Sequence, residues 1–291
     1  MNEEMIFARG LSDAFVENLK HGRYASLLQK VLSLGLDVQI REDYLDVYAD
    51  GRCVISLEEK KRPPDSYQAK IHRKFVVGAS LGEFHKGGEY NHYEASDTFV
   101  AAYLAQIEAI LKNSSDYVKP EGKAEQDIIR ASYMPKSPVI FFDRQIQAHD
   151  IRRKADLLGW GLSGDVQGKV LLTELKQGLD NRIQDLMDQM KEYLKLIAPK
   201  EKEGFMEENI FNSYQRVINQ KLQLKILPSV LKFPPTPPPV ECLFILYDYN
   251  EKSELLGRLK DMAKKSDLRS YLVKLPGGSY SLPEPKDWER L

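Results

Sequence analysis

The chain has few cysteines and no long apolar stretch. Its 291 residues include two cysteines, Cys53 and Cys242, which are too few for a disulfide framework or a zinc ribbon. No apolar run approaches the ~20 residues that a helix needs to span a bilayer. Residues 1–10 are acidic and lack the basic stretch and apolar core of a signal peptide. The sequence therefore predicts a cytoplasmic protein without a membrane partner.

The chain also lacks a charge excess, with 42 basic and 43 acidic residues. Modules that bind duplex nucleic acid often carry a positive excess, so this balance argues against strong nonspecific binding but leaves a local basic groove open. The run 60–62 is typical of a solvated surface. A second run, Arg152, Arg153 and Lys154, directly precedes the acid Asp156, where cations could hold a phosphate.

Several catalytic patterns are absent from the sequence, including a P-loop, a G-x-S-x-G elbow and an H-E-x-x-H zinc motif. Residues 159–164 do spell G-x-G-x-x-G, which in dinucleotide-binding proteins follows a strand and opens a helix. Here the pattern continues through Gly168 into another apolar segment. It therefore predicts a hairpin loop, in which Trp160 either stacks on a nucleobase or packs on its own domain.

Three residues on either side of that loop carry the strongest signal. Asp156 closes one apolar segment, and the next apolar segment carries Glu174 and Lys176. Residues two apart in a strand face the same side, so Glu174 and Lys176 project together, and pairing of the segments would bring Asp156 beside them. Two carboxylates and an ammonium at one point suit a divalent metal and a phosphodiester. Ion pairs at an ordinary sheet edge would have the same composition.

These residues resemble the motifs of the PD-(D/E)XK nuclease superfamily. The first motif reads Ala155-Asp156, where many members have Pro-Asp, and the second reads Glu174-Leu175-Lys176. Gln189 and Tyr193 match the Gln-x-x-x-Tyr helix motif of RecB-like members, and Glu125 lies in an upstream helix where many members have an additional acid. The resemblance covers roughly residues 120–250.

The resemblance implies a nuclease that hydrolyses the phosphodiester bonds of DNA or, less favoured, of RNA. It implies Mg²⁺ or Mn²⁺ held by Asp156, Glu174 and the carbonyl of Leu175, with Glu125 near a second metal. Lys176 would orient or deprotonate the attacking water, or stabilise the phosphate. Gln189 and Tyr193 would contact substrate phosphate or brace the site. The position of the basic run Arg152, Arg153 and Lys154 next to Asp156, rather than the resemblance, predicts that this run binds substrate phosphate.

The expected fold class is α/β (α+β), with an N-terminal α+β region at 1–118 and a nuclease-like domain at 119–291. In the first region, helices at 11–34 and 95–111 flank a small antiparallel sheet with a hairpin turn at Asp50-Gly51. The second is expected to have a restriction-endonuclease-like αβββαβ core with a mixed sheet. Its predicted elements are helices at 122–132 and 181–197, strands at 138–142, 153–158, 169–177 and 240–247, and a final helix and strand at 251–265 and 271–275.

A different class of function also fits the sequence. A noncatalytic nucleic-acid-binding or assembly module could retain the same fold, since fold alone does not establish function. The near-neutral charge and the N-terminal region support this alternative; that region could recognise substrate, mediate homodimerisation or complete the fold. Residues 234–239 predict a stiff polyproline spacer, or else a docking ligand.

Overall fold

A computed structural model describes the chain over residues 9–63, 65–146, 154–178, 183–199, 204–248, 250, 252–266 and 268–291. Contacts divide it into two compact units. The amino-terminal unit comprises Ala8–Gln126 and Arg216–Leu227, and the carboxy-terminal unit comprises Asp127–Gln215 and Pro228–Leu291. The sequence-based boundary lies between residues 118 and 119, whereas the first unit runs on to Gln126 and also takes in part of a distant helix.

The amino-terminal unit is built on one antiparallel sheet. Its strands are β1 (Asp37–Ile40), β2 (Tyr44–Ala49), β3 (Arg52–Glu59), β4 (Tyr67–His72), β5 (Phe84–Gly87) and β6 (Tyr90–Glu94). Helices α1 (Asp13–Lys20) and α2 (Ala25–Ser33) precede the strands, and α3 (Asp97–Ser115) follows them. The strand order is β1-β2-β3-β4-β6-β5. The predicted turn is confirmed, because Asp50 and Gly51 both have positive φ, at 46° and 76°, between the paired strands β2 and β3.

The single helix predicted for residues 11–34 is wrong. The amides of His21 and Gly22 both bond to the carbonyl of Glu17, which closes α1 before α2 begins at Ala25. Tyr24 lies in the break, fully buried, and its hydroxyl donates to the carbonyl of Ala95 at 2.7 Å. Residues 21–24 read His-Gly-Arg-Tyr, so the prediction extended one helix across a gap in the apolar pattern. The break is stabilised by the tertiary contact of Tyr24, which local periodicity does not show.

A buried lysine joins two distant parts of the amino-terminal unit. Lys221, in helix α6 (Glu208–Gln223), has no exposed surface, and its Nζ donates to Oε1 of Gln39 at 2.7 Å. The side-chain amide of Gln39 in turn donates to the carboxylate of Asp37. A buried ammonium is costly unless it has hydrogen-bond partners. The partners lie 182 residues apart in sequence, which explains why local pattern did not predict this contact.

The carboxy-terminal unit is built on a mixed sheet. Its strands are β7 (Val139–Ile146), β8 (Ala155–Gly161), β9 (Val170–Gln177), β10 (Val240–Tyr247), β11 (Ser270–Leu275) and β12 (Glu289–Arg290). The order is β12-β11-β10-β9-β8-β7, with β9, β10 and β11 parallel and the other neighbours antiparallel. Every residue of β10 is buried, as expected for a strand between two parallel neighbours.

Three further helices belong wholly or partly to this unit: α4 (Pro120–Ser132), α5 (Ile183–Ile197) and α7 (Glu254–Lys264). The described part of the chain thus has seven helices and two six-stranded sheets, one of them mixed. The prediction of a mixed α/β chain is confirmed at this level. The assignment to a restriction-endonuclease-like core stays a prediction.

The glycine-rich and proline-rich segments both form part of the sheet or bond to it. Residues 159–161 lie in β8, and Trp160 packs edge-on to Phe233 with ring centroids 5.2 Å apart, so it contacts its own unit. At the end of the proline run, the carbonyls of Pro238 and Pro239 accept from Met206 and Val170 at 2.8 and 2.9 Å. Hydrogen bonds to β9 and to residue 206 therefore hold that end of the run in place.

In the ranges that the structure describes, no helix combines the length and apolarity needed to cross a membrane.

Substitution of two glycines in different surroundings tests the packing of this unit. A Cβ at Gly161 would overlap the carbonyl oxygen of Val166 in the β8–β9 loop, whereas a Cβ at Gly257 in α7 would meet nothing within 4 Å. We expect Gly161→Ala to lower the free energy of unfolding by about 1–3 kcal/mol. Gly257→Ala should raise it by about 0.5–1 kcal/mol. Urea unfolding measures both, and equal effects of the two substitutions would contradict the packing described.

Candidate functional site

The register of β8 and β9 brings the two predicted carboxylates together. The antiparallel ladder runs from Trp160↔Val170 to Leu157↔Thr173. Asp156 and Glu174 are the next residues outward on the two strands, so they lie alongside each other where the ladder ends. The pairing that the sequence analysis required is therefore present.

Asp156 binds the main chain of the neighbouring strand. Its Oδ2 accepts the amide hydrogen of Leu175 at 2.7 Å. The amide and carbonyl of one strand residue point to the same edge of the strand, so the carbonyl of Leu175 also faces the side of Asp156. The motif residues Asp156 and Leu175 thus meet at one point, with a carboxylate and a main-chain oxygen on the same side of β9.

Glu174 is almost completely buried and held by two side chains. It is 2% exposed, and its Oε1 lies 2.9 Å from the Nζ of Lys176, whose side chain is 32% exposed. The side-chain amide of Gln189 donates to its Oε2 at 3.3 Å. A buried carboxylate requires such partners. The predicted projection of Glu174 and Lys176 to one side of the strand is consistent with this ion pair.

Helix α5 positions Gln189 beside Glu174 because one face of the helix is apolar and packs on the sheet. The buried members of this face follow helical spacing: Leu186, Met187, Met190, Tyr193 and Ile197. Packing of this face sets the helix over the sheet and leaves Gln189 half-buried at its edge. Its side-chain amide also donates to the carbonyl of Lys154 at 2.7 Å. Gln189 therefore ties the residues before β8 to the carboxylate on β9.

Tyr193 lies one turn after Gln189 and is fully buried. Its hydroxyl donates to the carbonyl of Ile146, the last residue of β7, at 2.9 Å. Of the two roles that the resemblance implies, contact with substrate or a structural brace, this geometry favours the brace. Burial, with smaller contributions from the carboxylates of Glu174 and Asp156, raises the pKa of Tyr193 well above its ordinary value.

The other predicted site residues divide into three groups. Arg152 and Arg153 lie outside the described residues. Lys154 is exposed, and its carbonyl accepts a hydrogen bond from the side-chain amide of Gln189. Glu125 is buried in α4 and belongs to the amino-terminal unit, so its role near a second metal stays a prediction.

Sequence reasoning missed residues of β7 that adjoin the site. The strand was expected to end at Phe142, but it continues through three polar residues to Ile146. Arg144 pairs with Leu157 and Ile146 with Ala155, so Gln145 lies beside Asp156. Gln145 has φ of 49°, a left-handed conformation that is uncommon for a residue other than glycine and concentrates at functional sites.

The polar end of β7 is stabilised by contacts that sequence pattern does not show. Asp143 is buried, and its two carboxylate oxygens accept from the amide of Arg144 and the hydroxyl of Tyr214, at 2.8 and 2.9 Å. Tyr214 is 71 residues away in sequence. Gln145 can be recognised as a candidate site residue only after the pairing of β7 with β8 shows that it lies beside Asp156.

The donor set of the site is small and consists of oxygen atoms. Across the described stretches, no group of three or more His, Cys, Asp and Glu side chains could hold a metal ion. A cation at Asp156 and Glu174 would therefore complete its shell with main-chain oxygen and water, which is a mode that magnesium accepts readily.

Comparison of the chain with models of known protein families, with curated proteins and with solved structures found no significant match.

Substitution of Tyr193 tests its role as a brace. We expect Tyr193→Phe to lower the free energy of unfolding by about 1–2 kcal/mol near neutral pH, because the buried carbonyl of Ile146 loses its donor. The same change at the half-buried Tyr280 should have little effect. Urea unfolding of the three proteins at a series of pH values provides the measurement.

The pH dependence of that difference has a defined sign. Because folding raises the pKa of Tyr193 above its ordinary value of 10.0, the unfolded chain loses this proton at lower pH than the folded chain does. The contribution of Tyr193 to stability is therefore constant below pH 10.0 and declines as the pH rises above it. A wild-type advantage over Tyr193→Phe that grows above this pH would show that the hydroxyl is not buried as described.

Proposed function

We propose that this chain is a metal-dependent nuclease that hydrolyses phosphodiester bonds, with DNA as the favoured substrate. The observation that carries the proposal is the meeting of Asp156, Glu174 and Lys176 at the end of the β8–β9 ladder, with Glu174 Oε1 2.9 Å from Lys176 Nζ. This grouping matches the motif order of the PD-(D/E)XK superfamily. Gln189, the first residue of the matching helix motif, contacts the same glutamate.

The residues present fit Mg²⁺ or Mn²⁺. Asp156 and Glu174 supply hard carboxylate oxygens, and the Leu175 carbonyl faces the same side as Asp156, which is the oxygen chemistry that magnesium prefers. When bound, such an ion would acidify a coordinated water and offset negative charge that develops on the phosphate. Asp156, Glu174 and Leu175 are the residues that would hold it.

The remaining residues position the charged groups. Lys176 is partly exposed, so its ammonium can reach a substrate phosphate or a water while Glu174 holds it in place. Gln189 restrains the rotation of the Glu174 carboxylate and binds the main chain before β8. In hydrolysis, the oxygen of water bonds to phosphorus as the bond to the leaving oxygen breaks. Lys176 acts by stabilising charge on the nonbridging oxygens and orienting that water.

Cleavage assays with two site variants test the proposal. We expect Glu174→Gln and Lys176→Ala each to slow the cleavage of single- or double-stranded DNA by at least about 100-fold in Mg²⁺ or Mn²⁺. Lys264→Ala, at an exposed position near the end of α7, is the matched control and should cleave at the wild-type rate. Circular dichroism should confirm that all variants are folded.

The two site variants should differ in metal binding. Calorimetric titration with Mn²⁺ should show weaker binding for Glu174→Gln and nearly unchanged binding for Lys176→Ala, because the lysine is not a ligand. Metal-dependent cleavage that persists in Lys176→Ala would exclude the role assigned to this residue. RNA substrates assayed in parallel decide between the two nucleic acids.

One observation favours a second candidate, a noncatalytic nucleic-acid-binding or assembly module that retains this fold. Glu174 is buried and already has Lys176 and Gln189 as partners, so its ion pair could serve stability alone. Such a module would show no specific Mn²⁺ or Mg²⁺ affinity and no cleavage of any substrate. The same calorimetric titration distinguishes it from a nuclease.

A further inference from the structure

The carboxy-terminal unit contains a cavity of about 560 Å³ whose lining includes neither Asp156 nor Glu174. Its lining comes from the second half of α5, from the start of β10, and from the segment between α7 and β11. The volume lies within the range of roughly 300–1,000 Å³ that is typical of small-molecule sites. Lys191, Leu194 and Lys195 of α5 and Ala198, directly after it, follow the spacing of one helix face.

The cavity is lined by apolar side chains and by three cationic side chains. Its apolar lining includes Leu194, Ala198, Val240 and Leu268, and its cations are Lys191, Lys195 and Arg269. Within the described part of the chain, these three cations make no side-chain ion pair. The carboxylate in the lining, Glu241, is neutralised by Lys169, whose Nζ lies 2.9 Å from both of its oxygens.

The lining is held in shape by main-chain bonds. The amide of Val240 donates to the carbonyl of Gly204 at 2.9 Å, and the amide of Cys242 donates to the carbonyl of Arg269 at 2.9 Å. These bonds attach the flanking segments to the ends of the sheet strands. The site is therefore largely formed before a ligand binds, which lowers the entropic cost of binding.

The cavity lies in the same unit as the candidate site and along the same strands. Phe244 of β10 pairs with Glu174, and Val240 lies four residues earlier on β10. Four residues of strand span about 13 Å. Helix α5 runs over both places, since it contributes Gln189 to the carboxylates and Lys191, Leu194 and Lys195 to the cavity.

We propose that this cavity binds one nucleoside monophosphate, with the phosphate on Lys191, Lys195 and Arg269 and the sugar and base against the apolar walls. Three cations that make no ion pair with any described side chain suit a phosphate dianion. The choice of a nucleotide as the phosphate ester rests on the proposed nuclease function. The nucleotide is either a free monophosphate or the phosphorylated 5′ end of a DNA strand, and both present the same chemistry.

Calorimetry of the full chain in EDTA tests the site without metal or cleavage. The probes are deoxyadenosine 5′-monophosphate, deoxyadenosine, inorganic phosphate, and a short oligonucleotide with or without a 5′ phosphate. We expect the monophosphate to bind at least about tenfold more tightly than either the nucleoside or inorganic phosphate, because only the monophosphate fills both parts of the cavity. Dependence of oligonucleotide affinity on the 5′ phosphate would identify a strand end as the source.

Charge reversal provides the matched comparison. Lys195→Glu with Arg269→Glu should weaken binding of the monophosphate at least about tenfold, whereas Lys264→Glu, outside the cavity, should change it less than about twofold. Equal affinity in the cavity variant and in Lys264→Glu, or no binding of either phosphorylated probe, would overturn the proposal. A thermal melt confirms that the variants are folded.

The Glu174→Gln variant separates this inference from the nuclease proposal. It should bind the monophosphate with wild-type affinity, since Glu174 does not line the cavity. Nucleotide binding without cleavage by the wild-type protein would refute the nuclease activity and leave the cavity site standing. Cleavage by the wild-type protein without nucleotide binding would refute the cavity site alone.

Discussion

The pairing register of β8 and β9 is the constraint on which the candidate site depends. The ladder ends at Leu157↔Thr173, which leaves Asp156 and Glu174 side by side and lets Asp156 reach the amide of Leu175. A slip of one residue would send the side chains of β9 to the opposite faces of the sheet. Glu174 would then leave Gln189. Gly161, the last residue of β8, and the loop that follows it therefore influence the chemistry indirectly, because they fix this register.

The site combines a costly buried charge with partners on two elements. Glu174 is nearly inaccessible, and burial of an unpaired carboxylate would be strongly unfavourable. Lys176 on the same strand and Gln189 on α5 offset that cost. Tyr193 joins the same helix to the end of β7, where Gln145 has its unusual backbone conformation. The arrangement around one carboxylate thus links β7, β8, β9 and α5.

Much of the carboxy-terminal unit could be predicted because its elements are locally patterned. The sequence patterns of the fully buried, largely apolar β10 and the amphipathic α5 identify each as strand or helix, and both lie within two residues of their predicted bounds. In contrast, the end of β7 and the break between α1 and α2 were mispredicted. Asp143 is polar but buried against Tyr214, and Tyr24 is anchored by Ala95, so both depend on partners about 70 residues away.

The sequence alone determined the order of the elements and the residues that could form a site, because helix and strand periods and the Glu-x-Lys spacing are local properties of the chain. Tertiary structure decided which of those residues meet. It paired Asp156 with Leu175, placed Gln189 on Glu174, and gave the hydroxyl of Tyr193 a structural partner. It also created the cavity beside α5, whose walls come from segments up to 78 residues apart. Such groupings depend on chain closure over long separations, which no local pattern encodes.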